Sequence, residues 1–462
     1  AGILLLGSLA GLGLLASGLA TPETATKRLL ARERPLAMRA ASSLVRKLGL
    51  SSPGVPASGC HVAARSAAAA VREHSVQPDL ILVTIDALTA DRCSAYGYGR
   101  STTPTLARLA AEGVLVERTY SPGDSTIYGV SPLAFSRFQE CLGEVRPESG
   151  GLMQRLQAVG YRTAIATGYD FRNGVTAHYQ EALLAGVDLY YGGPSPESNT
   201  GNSVPVDLAV AELGVRVIEE ALADQPLALW VHLYDPHNAH VPDSGVAGFF
   251  GEGASDRLDE EILRSDRVLA TVLDAASQRQ RPRLLVVSAD RGQSLGEDGR
   301  YGHHKGLYRS MTQVPLVFHG WGVPAGVRVG GPTSTMDVPV TILDILHGSV
   351  PEGMAGASLV PRMRGEASDT PPIFFSLVER NWSLRRDATW AIMQDDYLLV
   401  WHQVASLRSL YDSDYVELFD VVRDPHNRSN LESELPAVTS RLMTLLLSRG
   451  AGVQECWCAP SR

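Results

Sequence analysis

The segment Asp79–Ile85 (DLILVTI) constrains this chain more than any other. A continuous β-branched apolar run, with Pro78 before it and Asp86 after it, suits a strand covered on both faces. Such a strand needs helices on both sides of its sheet, and the following sequence supplies them. Helical periodicity at Pro104–Glu112 opens after Thr102 and Thr103 and closes at Gly113, and Val114–Tyr120 predicts a second strand. A helix over Gly151–Val159 with Gly160 behind it leads to a strand at Thr163–Thr167. Helix Leu208–Ala223, strand Leu227–Leu233, helix Asp259–Ser277 and strands Arg283–Ser288 and Val314–Phe318 continue the alternation. Strands alternating with long helices predict βαβ units and a parallel, doubly wound sheet, in which ligands bind where loops leave the strands' carboxyl ends.

From about Glu366 the rhythm shortens to strands at Pro372–Ser376, Thr389–Met393, Tyr397–Trp401 and Glu417–Asp420, with a helix at Glu434–Leu447. That pattern predicts a small antiparallel sheet with one helix. The predicted organisation is an apolar segment at 1–20, a basic helix and linker at 21–77, a large α/β domain at 78–365, a C-terminal α+β subdomain at 366–450 and a tail at 451–462. At 462 residues, one large domain with a smaller companion is expected. The net charge of −9 gives no footprint for nucleic acid. Five scattered cysteines, none in a CxxC pair, indicate neither a zinc ribbon nor a disulfide framework.

Ala1–Ala20 carries no charge and would be about 30 Å long as a helix, the thickness of a bilayer core. Its five glycines disfavour a buried helix in water. The expectation is a membrane segment with the main domain on the extracytoplasmic side, although the basic residues from Lys27 to Lys47 would by themselves mark a cytoplasmic flank.

Four loops concentrate ligand and nucleophile residue types. Asp86 directly follows the first strand, a position that suits a metal-binding carboxylate as well as a turn. Ser121–Leu133 (SPGDSTIYGVSPL) offers Ser121, Ser125 and Thr126 ahead of a helix, where a hydroxyl either caps the helix or attacks a bound phosphate or sulfate. Trp230–Pro242 (WVHLYDPHNAHVP) clusters histidines with a carboxylate, His237 being presented by the preceding Pro236 and His240 being a solvated neighbour. Ser288–Tyr308 carries Asp290 at a strand end, followed by His303, His304 and Lys305 after a glycine-rich excursion. A carboxylate and converging cations suit a hard metal and an anionic substrate.

These segments, in this order, resemble the sulfatases and their phosphotransferase relatives. VTIDALTADRCSAYGYG resembles the family's N-terminal signature and YDPH its Asp-Pro-His segment. SADRGQSLGEDGRYGHHKG resembles its Asp-His-Gly and Gly-His block, and VELFDVVRDPHNRSNL its C-terminal tail. The resemblance implies an alkaline-phosphatase-like mixed sheet flanked by helices. It implies one divalent ion (calcium, magnesium, manganese or zinc) on Asp86 and Asp290, and Thr126 in the nucleophile position. His237 would contact the leaving group, His303 would stabilise the ester oxygens, and Ser125 and Lys305 would bind a small anionic ester.

The departures are specific. Thr126 replaces the cysteine from which formylglycine is made, and Tyr128 and Val130 replace the proline and arginine that follow it. Arg291 stands where the family completes its metal shell with His or Asn, and a guanidinium has no lone pair to give a metal. Its expected role is to neutralise the substrate anion. The reading is a sulfate- or phosphate-ester hydrolase or transferase using one metal and a hydroxyl nucleophile. The alternative is a catalytically degenerate, membrane-anchored protein that keeps the fold and binds anionic ligands.

Overall fold

The structure is a computed structural model that describes residues 77–457 apart from 139–144, 173–174, 176, 194–205, 238–245, 297–298, 304–305, 351–352, 367–369, 379–387 and 404–413. The predicted apolar segment and basic helix lie outside the described residues. Among the described residues no helix is long and apolar enough to cross a membrane.

The strands are β1 (Asp79–Ile85), β2 (Val114–Tyr120), β3 (Arg162–Thr167), β4 (Leu189–Tyr191), β5 (Leu227–Leu233), β6 (Arg283–Ser288), β7 (Ser294–Leu295), β8 (Tyr301–Gly302), β9 (Gln313–Val314), β10 (Leu316–Gly320) and β11 (Val327–Ser334). Apart from the separate β7–β8 pair, they form one sheet in the order β11-β2-β10-β6-β1-β5-β3-β4, with β9 pairing β2. β1 sits at its centre, parallel to β5 on one side and β6 on the other. Both of its faces are buried, as its sequence demands. Leu80 and Leu82 join Trp230 in one core, while Ile81, Val83 and Ile85 join Val231 and Leu285 in the other. Each such side chain contributes about 1.5–3 kcal/mol by leaving water.

The sheet is mixed rather than wholly parallel. β10, expected as a further parallel strand, runs antiparallel to both β6 and β2. The stretch between β6 and β10 holds short hairpin and turn elements instead of a crossover helix, and a parallel return requires a crossover. The longer helices of this part are α1 (Pro104–Glu112), α2 (Thr126–Phe135), α3 (Leu152–Ala158), α4 (Ala177–Leu184), α5 (Asp207–Glu220), α6 (Ala254–Gln278) and α7 (Asp337–His347); α4 and α7 were not expected from the sequence, and the others stand where a helix was expected.

A second sheet, β12 (Ile373–Val378), β13 (Ala388–Gln394), β14 (Tyr397–Gln403) and β15 (Tyr415–Asp420), is antiparallel throughout. One of its faces, with Phe375, Met393, Val400 and Phe419, packs on Tyr120, Leu307 and Tyr308. The other, with Ile392, Leu399 and Leu418, is covered by Leu442 and Leu446 of α8 (Pro436–Trp457). The small sheet thereby braces both loops that approach the site. Ser376 N–H donates to Pro122 O at 3.1 Å, and Tyr308 Oη donates to Glu417 at 2.6 Å.

Candidate functional site

β2, β6, β1, β5 and β3 all point the same way, so the loops leaving their carboxyl ends meet at one edge of the sheet. Asp86 leaves β1, and its backbone N–H is fixed by Leu233 O on β5 at 2.8 Å. Ala87 then takes a positive φ of 60°, an uncommon conformation for a residue with a Cβ. That turn aims its N–H at Asp290 Oδ1, 3.3 Å away, and Arg291 N–H donates to the same oxygen at 2.8 Å. Two backbone donors therefore hold one oxygen of Asp290, and Asp290 Oδ2 faces inward without a hydrogen-bond partner among the described residues.

Thr126 opens α2, with Ser125 as the residue before the helix. Ser125 makes no side-chain capping bond, so the capping role weighed from sequence is not what its hydroxyl performs. Thr126 Oγ1 instead donates to Asp86 Oδ2 at 3.1 Å. The approach of α2 to the β6 loop depends on Gly129, because a Cβ there would lie 2.1 Å from Asp290 O.

Asp86, Asp290 and Arg291 are completely shielded from solvent. Arg291 Nη2 lies 2.9 Å from Asp86 Oδ1, its Nε 4.0 Å from Asp290 Oδ2, and its Nη1 donates to Gly292 O at 3.1 Å. Sequence reasoning aimed this charge at a substrate anion; the structure turns it inward onto two carboxylates. Burial pushes the Asp86 carboxyl up, but Arg291, then His237 and His232, outweigh it and hold the group ionised well below the usual range. Burial first, and the Asp86 charge second, push Asp290 the other way. Like charges this close cannot both ionise freely.

His232, within β5, was part of the clustered loop but not among the expected site residues. It shares its register position with Thr84, and Thr84 Oγ1 lies 2.8 Å from His232 Nδ1. Trp230 Nε1 donates to Thr84 Oγ1 at 2.9 Å, so this threonine links the indole to the imidazole. His232 Nε2 lies 3.6 Å from Asp86 Oδ2. The signal in the sequence was a histidine inside an otherwise apolar strand.

His237 lies in the turn Asp235–His237, its ring stacked on Tyr234 at 4.6 Å between centroids and 5.0 Å from the His303 ring. Tyr169, from the β3 loop, stacks on Tyr234 at 5.7 Å and extends this wall of rings. Thr126 bonds Asp86 directly, His237 lies close enough to act on the charge of Asp86, and His303 adjoins His237. His304, Lys305 and His240 lie outside the described residues.

A sequence model of the family described as Sulfatase matches residues 78–349, more than half of the chain. The chain belongs to the sulfatase family. It is 26% identical over 162 residues to arylsulfatase K of Bos taurus (34% of this chain, 29% of the relative), and 29% identical over 145 residues to arylsulfatase D of Homo sapiens (28% and 24%). The matched part is under a third of either relative's length. Among solved structures, the phosphonate monoester hydrolase of Agrobacterium radiobacter superposes with a TM-score of 0.64 at 18% identity, covering 82% of this chain and 96% of that one. A 2-O GAG sulfatase gives 0.63 at 17%, covering 82% and 93%. The fold is the alkaline-phosphatase-like one.

Asp86, His232 and Asp290 are the cluster among the described residues whose ligand atoms could converge on a metal ion, all within 4.8 Å of one another. As arranged they do not fit a divalent cation. A buried guanidinium lies 2.9 Å from Asp86 and 4.0 Å from Asp290, and it has no lone pair to give a metal. The two acidic groups already have a cation between them.

Proposed function

We propose that this chain cleaves sulfate or phosphate esters, or transfers their charged group, with Thr126 as the nucleophile. The observation that carries this reading is the hydrogen bond from Thr126 Oγ1 to Asp86 Oδ2 at 3.1 Å, at the start of a ten-residue helix. A helix N-terminus favours the negative charge of a bound oxyanion, and Asp86 orients the attacking oxygen. The relatives, arylsulfatases and a phosphonate monoester hydrolase by name, support an ester of sulfur or phosphorus without choosing between them.

In the first step Thr126 Oγ bonds to the sulfur or phosphorus, the bond to the ester oxygen breaks, and the threonine proton passes to Asp86 Oδ2. The departing oxygen takes a proton from the His237–His303 pair, and Ser125 and Lys305 lie in the segments that would meet the substrate. Water then attacks the same centre and gives a proton to the His237–His303 pair, while Thr126 Oγ departs and takes back the proton held on Asp86, leaving the free anion. Because Asp86 is held firmly ionised, it is a weak base, so a slow enzyme is expected. No step is routed through a metal.

A second reading, a protein that binds anionic esters without turnover, is favoured by one observation: Arg291 occupies the gap between the acidic residues. Chromogenic phosphate, phosphonate and sulfate esters separate the two. Thr126→Ser should keep measurable turnover and Thr126→Ala should lose about 10³-fold or more in kcat. Wild-type protein that binds phosphate but turns over none of the esters would leave the second reading standing.

A further inference from the structure

We propose that Arg291 is the resident cation of this site, a positioning residue that replaces the divalent ion and makes the site metal-independent. Two observations and one property of the group carry this. The Arg291 side chain is wholly buried, and no other arginine or lysine is recorded within salt-bridge distance of Asp86 or Asp290 among the described residues. Its guanidinium reaches Asp86 Oδ1 at 2.9 Å and stands 4.0 Å from Asp290 Oδ2, so one rigid positive plane spans the gap. A guanidinium stays protonated in proteins, so it cannot vacate its charge to admit a metal.

The surroundings agree with a site completed by a fixed cation. Nη1 is anchored on Gly292 O at 3.1 Å, which sets the plane from the chain's own backbone. Asp290 Oδ1 is already filled by two backbone N–H groups, so only one of its oxygens remains to face a cation. The Trp230–Thr84–His232 chain holds the imidazole with Nε2 3.6 Å from Asp86 Oδ2. A divalent ion entering here would meet a buried positive charge. Breaking the existing pairs to admit it would strand charges in a dry interior. The guanidinium lies against Asp86 Oδ1 while Asp86 Oδ2 accepts from Thr126, so it holds the carboxylate that orients the nucleophile.

This inference does not need the hydrolase reading, since it concerns what fills the acidic gap. The test is manganese binding to the purified full chain, followed by electron paramagnetic resonance and by the thermal midpoint with chelator or with added manganese. Wild type and Arg291→Lys should show no stoichiometric manganese and a midpoint indifferent to chelator. Arg291→His and Arg291→Met should be less stable without metal, bind one manganese about 100-fold more tightly than wild type, and recover stability on its addition. Stoichiometric manganese in wild type, or a wild-type midpoint that falls with chelator, would overturn the proposal. Should the histidine and methionine variants fail to fold, the wild-type measurements still decide. A metal-free wild type with no turnover would sink the hydrolase reading alone, and turnover abolished by chelator would sink this inference alone.

Discussion

Two buried clusters in this molecule have the same composition, two aspartates and one arginine, and they do opposite things with it. In the first, Asp207, Asp235 and Arg264 hold the turn that carries His237. Asp235 Oδ1 accepts the N–H groups of Val206 and Asp207, and its Oδ2 takes Arg264 Nε at 2.9 Å. Asp207 Oδ1 accepts from Tyr234 and Asp235, and its Oδ2 takes Ser265 Oγ at 2.6 Å. All four carboxylate oxygens are occupied. In the second, Asp86, Asp290 and Arg291 are buried more completely, yet Asp86 Oδ1, Asp290 Oδ2, His232 Nε2, Arg291 Nε and Nη2 make no hydrogen bond among the described residues.

Unsatisfied buried polar atoms cost free energy, so a fold tolerates them together only where they serve something besides stability. The cluster whose carboxylate oxygens are all occupied is a brace. The unsaturated one, beside a threonine and two histidines, is the centre we propose as functional. The brace also serves the centre: the segment it fixes, Tyr234–His237, carries the rings that reach toward His303.

The sharpest way to break this contrast is to remove each arginine. Arg264→Leu should destabilise the fold by about 3–5 kcal/mol in denaturant titrations, because it strands Asp235 in the interior. Added manganese should not restore the loss, whereas it should restore Arg291→Met. Rescue of both variants would mean the two clusters do not differ in the way described.

A smaller effect is expected at the seam between nucleophile and acidic pair. Gly129→Ala places a methyl against Asp290 O and should cost about 1–3 kcal/mol, with turnover falling more than stability because α2 shifts Thr126 from Asp86. Unchanged turnover in a destabilised variant would detach α2 from the site.

The last effect is a pH dependence set by the brace and by Asp337 at the start of α7. Burial, and then the Asp235 charge, raise Asp207 from 3.8 to about 7, and burial raises Asp337 from 3.8 to about 6. For carboxyls raised in the folded state, the stabilising contribution is complete below 3.8 and is lost as pH climbs toward 6 to 7. The thermal midpoint should therefore fall across that interval. Asp207→Asn, which cannot ionise, should flatten the decline, and an unaltered slope would remove Asp207 as its source.

Much of the fold was legible in the sequence because burial writes itself locally. A strand covered on both faces must be apolar at every position, so DLILVTI could be placed to the residue, as could LALWVHL. The antiparallel direction of β10 was not legible, because strand direction depends on the connection and not on the strand's own residues. Asp86 and Asp290 could be picked out because each stands just beyond a strand, and Thr126 and Arg291 through the family resemblance, and the four do come together. His232 was harder to isolate, since its role comes from pairing across the sheet with Thr84 rather than from its neighbours in the chain.

By itself, the sequence determined that the chain carries a sulfatase-family α/β sheet, that position 126 is a hydroxyl, and that position 291 brings a permanent positive charge. Only the tertiary structure decided where that charge goes. Packing closes Arg291 away from solvent and swings it onto Asp86 and Asp290. In a medium that screens charge poorly, a buried cation settles against the nearest anions, and here the nearest anions are the pair that the family's metal would have claimed.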